Sequence, residues 1–231
     1  NGRIKEDVFI MIRKEYKKLK YIISLPDGYE EGKKYPVIFF LHGAGTRGDD
    51  FGKLAENSYF EYRKQRDKFP FITVAPQCYA DTWFEIFEQI IDLAKFVYNA
   101  DFTDKSRFYG MGVSMGGYGI WQLAMTLPQI FAAIVPLCGG GMYWNAARLK
   151  DVPVWAFHGA DDDVVLCAES RKMTDAVNKC GGSAKLTVFE ACMHNCWDRV
   201  YAEGKAFDWL LENTNKGFSE TEKLDGSKDF G

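Results

Sequence analysis

Residues 107–119 read Arg-Phe-Tyr-Gly-Met-Gly-Val-Ser-Met-Gly-Gly-Tyr-Gly, and the reading of the whole fold turns on this stretch. An apolar run ends, Gly112-Val113-Ser114-Met115-Gly116 follows, and small residues open a helical pattern. The G-x-S-x-G spacing holds a serine on a sharp turn from strand to helix. The backbone at that turn is strained, and a side chain at either flanking glycine would collide with a neighbouring strand or helix. Ser114 is therefore expected to project over the end of a sheet, at the N-terminus of the next helix. The free N–H groups and partial positive charge of that helix end would face a developing oxyanion. A glycine-rich turn can contain a serine by chance. The strand pattern before the elbow and the helix pattern after it are what give the match weight.

Outward from the elbow, apolar runs alternate with amphipathic stretches. Strands are expected at 19–25, 37–41, 71–75, 106–111, 131–137, 152–157 and 185–189, after an edge strand and turn within 3–18. The runs 37–41 and 131–137 are continuously apolar, as in strands buried on both faces of a parallel sheet. Helices are expected over 51–69 (one or two), 84–98, 118–127, 169–180 and 200–211. In 84–98, Ile86, Ile90, Leu93 and Val97 share one face. This alternation predicts an α/β fold with a mostly parallel central sheet, helices on both faces and right-handed crossovers. One domain is expected over 1–213, followed by a polar, flexible tail over 214–231.

Composition excludes several classes. At 231 residues and 47% hydrophobic content the chain can bury a full core. A net charge of −3 provides no basic footprint for nucleic acid. No apolar run approaches the roughly 18–20 residues that span a bilayer. No signal peptide is legible, and the first residue is Asn1, so the compartment, cytoplasmic or secreted, stays open. A homodimer is compatible with the sequence. The six cysteines, Cys78, Cys138, Cys167, Cys180, Cys192 and Cys196, read first as small buried hydrophobes. In an exported protein one or two disulfides would fit, with Cys192 joined to Cys196, or one of them to Cys138 or Cys167.

A serine hydroxyl is a weak nucleophile and needs a base held in one tautomer by an acid. The histidines are His42, His158 and His194. In the chain order serine, acid, histidine, only His194 follows every candidate acid. The acid is expected among Asp161, Asp162 and Asp163, which cannot all be buried beside one imidazole because like charges repel. His42 ends a strand before Gly43-Ala44-Gly45, where it reads as a brace for that loop. Glycines there let backbone N–H groups approach a ligand, and the N–H of Ala44, with Gly45 as the alternative, is the expected second oxyanion donor. Cys192-x-His194-x-Cys196 resembles metal-ligand spacing, but no fourth ligand is evident and neighbours on a strand cannot all face one centre. No metal and no cofactor are expected. Trp83 reads equally as a wall of a substrate cleft or as a packing tryptophan. Tyr143 and Trp197 are further cleft candidates.

Several motifs together resemble the single-domain α/β-hydrolase esterases, in particular the phospholipase/carboxylesterase group and the related feruloyl and polyhydroxybutyrate depolymerase-like esterases. They are Tyr35-Pro36 leading into Leu41-His42-Gly43-Ala44-Gly45, Ala75-Pro76-Gln77, the elbow with Gly117, Phe157-His158-Gly159-x-x-Asp162-x-x-Val165, and His194 with Cys196-Trp197. The resemblance runs from Lys20 to about Leu211. It implies Ser114 as nucleophile, His194 as base and Asp162 as acid, because the family's aspartate stands four positions after the histidine of its His-Gly pair. It also implies the N–H groups of Met115 and Ala44 as oxyanion donors and a structural role for His158. Leu166 departs from a proline common in relatives, which touches only the rigidity of its loop.

The implied activity is that of a serine carboxylesterase working through an acyl-enzyme. The expected substrate is a small-molecule or polysaccharide-linked ester, such as a feruloyl or acetyl ester of plant polysaccharide. Short-chain lipid esters or acyl thioesters are the rival substrates, and a catalytically silent binding module is the rival class. A peptidase reading is weaker, since no gating domain is evident. Between Ser114 and Asp162 there is no room for a long lid, so an open cleft is expected.

Overall fold

The computed structural model describes residues 9–66, 68–215 and 217. Eight strands form one sheet: β1 Met11–Tyr16, β2 Leu19–Ser24, β3 Tyr35–Leu41, β4 Ile72–Pro76, β5 Thr103–Val113, β6 Ala133–Leu137, β7 Val154–Gly159 and β8 Ala184–Phe189. Their order is β1-β2-β4-β3-β5-β6-β7-β8. The β1–β2 and β2–β4 pairs are antiparallel, and all the rest are parallel. The expected α/β architecture with a mostly parallel sheet is borne out. Lys17 and Lys18 turn the β1–β2 hairpin with φ of 47° and 70°.

β3 shows why a continuous apolar run was the right signal for a central strand. Its side chains alternate across the sheet. Val37, Phe39 and Leu41 enter one core with Trp121 and Leu123, while Ile38 and Phe40 enter the other with Tyr59 and Phe60. All five of these β3 residues are completely buried. Burying a side chain of this size is worth about 1.5–3 kcal/mol. The first core is closed by α3 Phe87–Tyr98, α4 Met115–Thr126 and α5 Cys167–Lys179. The second is closed by α1 Phe51–Ala55, α2 Ser58–Lys64, α6 Cys196–Glu203 and α7 Lys205–Glu212.

Some boundaries depart from expectation. The single helix over 200–211 is two. Gly204 adopts φ of 72° and ends α6, and α7 restarts directly after it. An L-residue rarely takes that conformation, whereas glycine does so freely. The 84–98 helix begins with a one-turn segment, Trp83–Ile86, fixed by a capping box between Thr82 and Glu85. Residues 51–69 give two short helices. Of the expected tail, most lies outside the described residues. Asn215, which is described, is tied back to the Ser106 oxygen through its amide and to Gln129 through its side chain. The first residues of the expected N-terminal edge strand also lie outside them.

Candidate functional site

The elbow is built by close backbone contact. Ser114 has φ of 54° and ψ of −116°, a region that costs a non-glycine residue of order 1–3 kcal/mol. Its N–H donates to the Leu137 oxygen at 2.9 Å, and its oxygen accepts from Tyr118 N–H at 3.1 Å. Both motif glycines are obligatory for space. A Cβ at Gly112 would fall on the Gly116 carbonyl, and one at Gly116 on the Leu41 carbonyl and 2.7 Å from the His42 oxygen. The helix start is thus pressed against the ends of β5 and β3, as the motif predicts.

Three loops from the same sheet edge meet the serine. His194, from the loop after β8, holds Nε2 2.8 Å from the Ser114 Oγ. Its Nδ1 stands 2.7 Å from Asp162 Oδ2. Asp162, after β7, also accepts from the amides of Val164 at 3.0 Å and Val165 at 2.9 Å through Oδ1. His158 Nε2 lies 3.1 Å from the same Oδ2 that His194 uses, and 2.7 Å from the Val165 oxygen. Burial opposes the charge on Asp162, but these hydrogen bonds, His194 foremost, hold its carboxyl below the usual carboxylate range. Burial lowers His158, so its imidazole is neutral, with Nδ1 2.7 Å from the Ser170 hydroxyl. With Asp162 ionised, His194 carries its proton on Nδ1 and offers a lone pair on Nε2 to the Ser114 hydroxyl. Asp161 and Asp163, the other two candidates, make no contact of this kind with His194.

The second wall comes from the loop after β3. Gly43 passes so near the elbow that an added Cβ would stand 3.5 Å from the Ser114 Cβ. Ala44 follows, opening the one-turn helix Ala44–Thr46, and lines the hollow beside Ser114. The N–H groups of Ala44 and Met115 each open a helix, where amides lack intrahelical partners. Gln77 clamps the loop, accepting from Asp50 N–H at 2.8 Å and donating to the Thr46 oxygen at 3.1 Å. His42 braces it from below: Nδ1 donates to the Gly43 oxygen at 2.7 Å, and Nε2 accepts from Cys78 N–H at 3.0 Å. Burial lowers the His42 pKa to about 4, which keeps it neutral in that role.

The hollow over Ser114 holds about 540 Å³. Its lining mixes apolar residues, Val113, Val164 and Trp197, with polar ones, Thr46, Lys53, Glu56 and Asn57. Trp197 stands edge-on to the His194 ring at 5.4 Å. The other two aromatic cleft candidates need correction. Trp83 is completely buried, and its indole N–H donates to the His42 oxygen at 3.0 Å, so it packs beneath the loop rather than lining the cleft. Tyr143 is half exposed, edge-on to the exposed Trp144, and lies outside the hollow's lining. Val164 and most of the polar lining were missed from sequence. Val164 had a signal, its place two residues after Asp162. Lys53, Glu56 and Asn57 had none, because they read as a solvated helix surface.

All six cysteines are free thiols. The ligand set that converges is not the Cys192-x-His194-x-Cys196 run. Cys138 brings a donor atom within 4.8 Å of one on Asp162 and one on His194. Burial and the neighbouring Cys196 push the Cys138 thiol far up, against the thiolate that a metal requires. Asp162 and His194 are meanwhile engaged with each other, so this set is a poor metal site.

Among known proteins, the prolyl oligopeptidase family matches residues 77–141, from the loop after β4 to the loop after β6. A probable feruloyl esterase C of Aspergillus terreus is 28% identical over 157 residues, 63% of this chain and 56% of that protein. A bifunctional acetylxylan esterase/xylanase, XynS20E, of Neocallimastix patriciarum is 26% identical over 137 residues, 56% of this chain and 20% of that protein. The chain therefore spans little more than half of the first relative and a fifth of the second. The crystal structure of a thermostable esterase superposes with a TM-score of 0.74 at 28% identity, over 91% of this chain and 64% of that one.

Proposed function

We propose that this chain, a serine hydrolase with the α/β-hydrolase fold, cleaves carboxylic esters through an acyl-enzyme, with Ser114 as nucleophile, His194 as base and Asp162 as the acid that orients it. The observation that carries the reading is the unbroken relay on a strained elbow: 2.8 Å from Oγ to Nε2 and 2.7 Å from Nδ1 to Oδ2. Ser114 Oγ attacks the ester carbonyl as Nε2 takes its proton. Asp162 stabilises the imidazolium that results, without itself taking the proton. The N–H groups of Met115 and Ala44 receive the oxyanion, each worth on the order of 10²–10³ in rate. Nε2 then returns the proton to the leaving alcohol. Water, deprotonated by the same imidazole, releases the acid.

For the substrate we favour acyl esters of plant polysaccharide, feruloyl or acetyl. Support comes from the names of the two relatives and from a hollow lined by both apolar and polar side chains, suited to an acyl group and a hydroxylated alcohol. The test is a panel of p-nitrophenyl esters of rising chain length beside methyl ferulate and acetylated xylan. Preference for methyl ferulate or the xylan supports the reading. Preference for mid-length acyl chains points instead to a lipid esterase. A fluorophosphonate probe should label the protein and not Ser114→Ala, and retained labelling would overturn the nucleophile assignment.

A further inference from the structure

We propose that the rim of the site carries a docking strip for an uncharged polysaccharide chain, running from Val164 through Leu166 to Met142, Tyr143 and Trp144. The proposal rests on the esterase reading above and adds to it the surface that holds the polymer bearing the ester. Among the described residues, every large apolar side chain that is exposed, Ile10 and Phe96 apart, stands on a segment that follows the C-terminal end of a parallel strand. That is the edge where Ser114, Asp162 and His194 meet. Single exposed apolar residues are normal anywhere on a surface. Gathered along one edge, they mark a contact site.

The strip is continuous with the hollow. Val164 lines the hollow and is 67% exposed, and Leu166, 63% exposed, stands two residues further on, directly before α5. The Leu166 oxygen accepts from Glu169 N–H at 2.9 Å. A Cβ on Gly140 would stand 2.7 Å from the Glu169 Cβ and 3.0 Å from the Tyr118 ring. Gly140 therefore passes between the first turns of α4 and α5, and brings the loop after β6 against the loop after β7. Met142, Tyr143 and Trp144 follow within four residues, at most ~15 Å of chain. Trp144 is 72% exposed, with Tyr143 edge-on to it at 5.3 Å.

The surroundings choose the occupant. Whatever lies on a strip leading out of the hollow is joined to what reacts inside it, so the occupant is the remainder of the substrate. The charged residues beside the strip are of both signs, Asp161, Asp163 and Glu169 against Arg148, Arg171 and Lys172. They make no single-signed field to draw an anionic membrane or a nucleic acid. The strip is also open, so it can cover only one face of its ligand. An acyl chain gains in proportion to the area removed from water, and here keeps much of it wet. A pyranose ring needs only one covered face. Its C–H face can lie on the indole of Trp144 while its hydroxyls keep their water, whose loss without replacement is costly.

The test uses Trp144→Ala, with Leu166→Ser as an independent variant on the other loop. The ratio of kcat/KM on acetylated xylan to kcat/KM on p-nitrophenyl acetate should fall roughly 3–10-fold, through KM for the xylan. Trp144→Phe should recover most of the loss, and the melting temperature should hold. In a second arm, Ser114→Ala protein should be retarded in native gels containing deacetylated xylan, and Ser114→Ala with Trp144→Ala should not. A parent protein inert towards p-nitrophenyl acetate sinks the esterase reading, and retardation that depends on Trp144 still upholds the strip. An unchanged ratio, or retardation that is absent or independent of Trp144 and Leu166, overturns the strip. A loss on p-nitrophenyl octanoate instead of xylan assigns the strip to an acyl chain, and a dimer abolished by Trp144→Ala assigns it to a second copy; either result overturns the glycan. If Trp144→Ala does not fold, Leu166→Ser and Trp144→Phe decide.

Discussion

Asp162→Asn is the most discriminating single change at the site. The carboxylate accepts three hydrogen bonds, from Val164 and Val165 N–H on Oδ1 and from His194 Nδ1 on Oδ2, and His158 Nε2 stands 3.1 Å from Oδ2 while bonded to the Val165 oxygen. An asparagine has one acceptor oxygen and one NH₂ group, so one side of that set must meet a donor. The two backbone amides cannot change their protonation, whereas the His194 imidazole can move its proton to the other nitrogen. The asparagine oxygen should therefore stay with Val164 and Val165, and its NH₂ should face His194. His194 then carries its proton on Nε2 and can no longer accept from the Ser114 hydroxyl 2.8 Å away. In the serine-protease triad, the same exchange lowers kcat by about 10⁴, and a loss of that order is expected here. The packing is isosteric, so the melting temperature should change little. Asp162→Ala is the contrast, because it strands buried donors at about 1–3 kcal/mol each and should depress both activity and stability. The assay is steady-state hydrolysis of p-nitrophenyl acetate beside thermal unfolding. Should Asp162→Asn keep a tenth or more of the parental kcat while correctly folded, Asp162 does not set the tautomer of His194.

Three further outcomes follow from the same geometry. Gly116→Ala drives a methyl group into the β3 backbone at Leu41 and His42. It should cost at least the 1–3 kcal/mol typical of overpacking, read as a lowered urea midpoint, together with most of the activity. His42 is held near pKa 4 against 6.5 when unfolded, so the unfolded chain takes up its proton first as pH falls. Its contribution is complete above pH 6.5 and is lost on descending towards pH 4, about 2 kcal/mol of it by pH 5; His42→Gln should flatten the pH 7 to pH 5 loss in urea stability by that amount. With Ser114 lining an open hollow that no described residue covers as a lid, hydrolysis of a longer-chain ester should rise smoothly through its micelle threshold, and a jump there would contradict that openness.

What was legible in the sequence was local or periodic. The elbow and the two-sided strands each carry their cause within a dozen residues, whereas Asp162 was singled out from Asp161 and Asp163 only by the family resemblance. Gly204 escaped because one glycine does not interrupt the amphipathic period across 200–211, although its φ of 72° breaks the helix. Trp83 could not be assigned because an indole serves a cleft wall and a core equally well. Its burial depends on the His42 oxygen, 41 positions earlier. Tyr143 failed for a related reason: a loop's departure edge follows from strand order, but the direction its side chains take does not. Cys138 was legible as a buried thiol or a disulfide partner of Cys192 or Cys196, but its nearness to Asp162 and His194 was not, being a product of how β6, β7 and β8 lie side by side.

That adjacency also explains how a strained serine is kept. β3, β5, β6, β7 and β8 are consecutive in the sheet, and they deliver in order the Ala44 loop, Ser114, Cys138, Asp162 and His194. The strain at Ser114 lasts only while its surroundings permit no other backbone path. Three supports remove the alternatives: the bond to the Leu137 oxygen on β6, the contact of Gly116 with β3, and the fit of Gly117 against the same Leu137 carbonyl. Each relies on parallel register between neighbouring strands, such as Gly112 opposite Pro136 and Leu41 opposite Gly112. A shift of one residue in the β3–β5 pairing would reverse which β3 side chains face which core, with Phe39 and Phe40 exchanging layers. The large apolar burial on both faces of β3 therefore holds the register, the register holds the elbow, and the elbow holds the hydroxyl 2.8 Å from the His194 imidazole. On this argument the site's geometry depends on the interior of the sheet as much as on the loops that carry the chemistry.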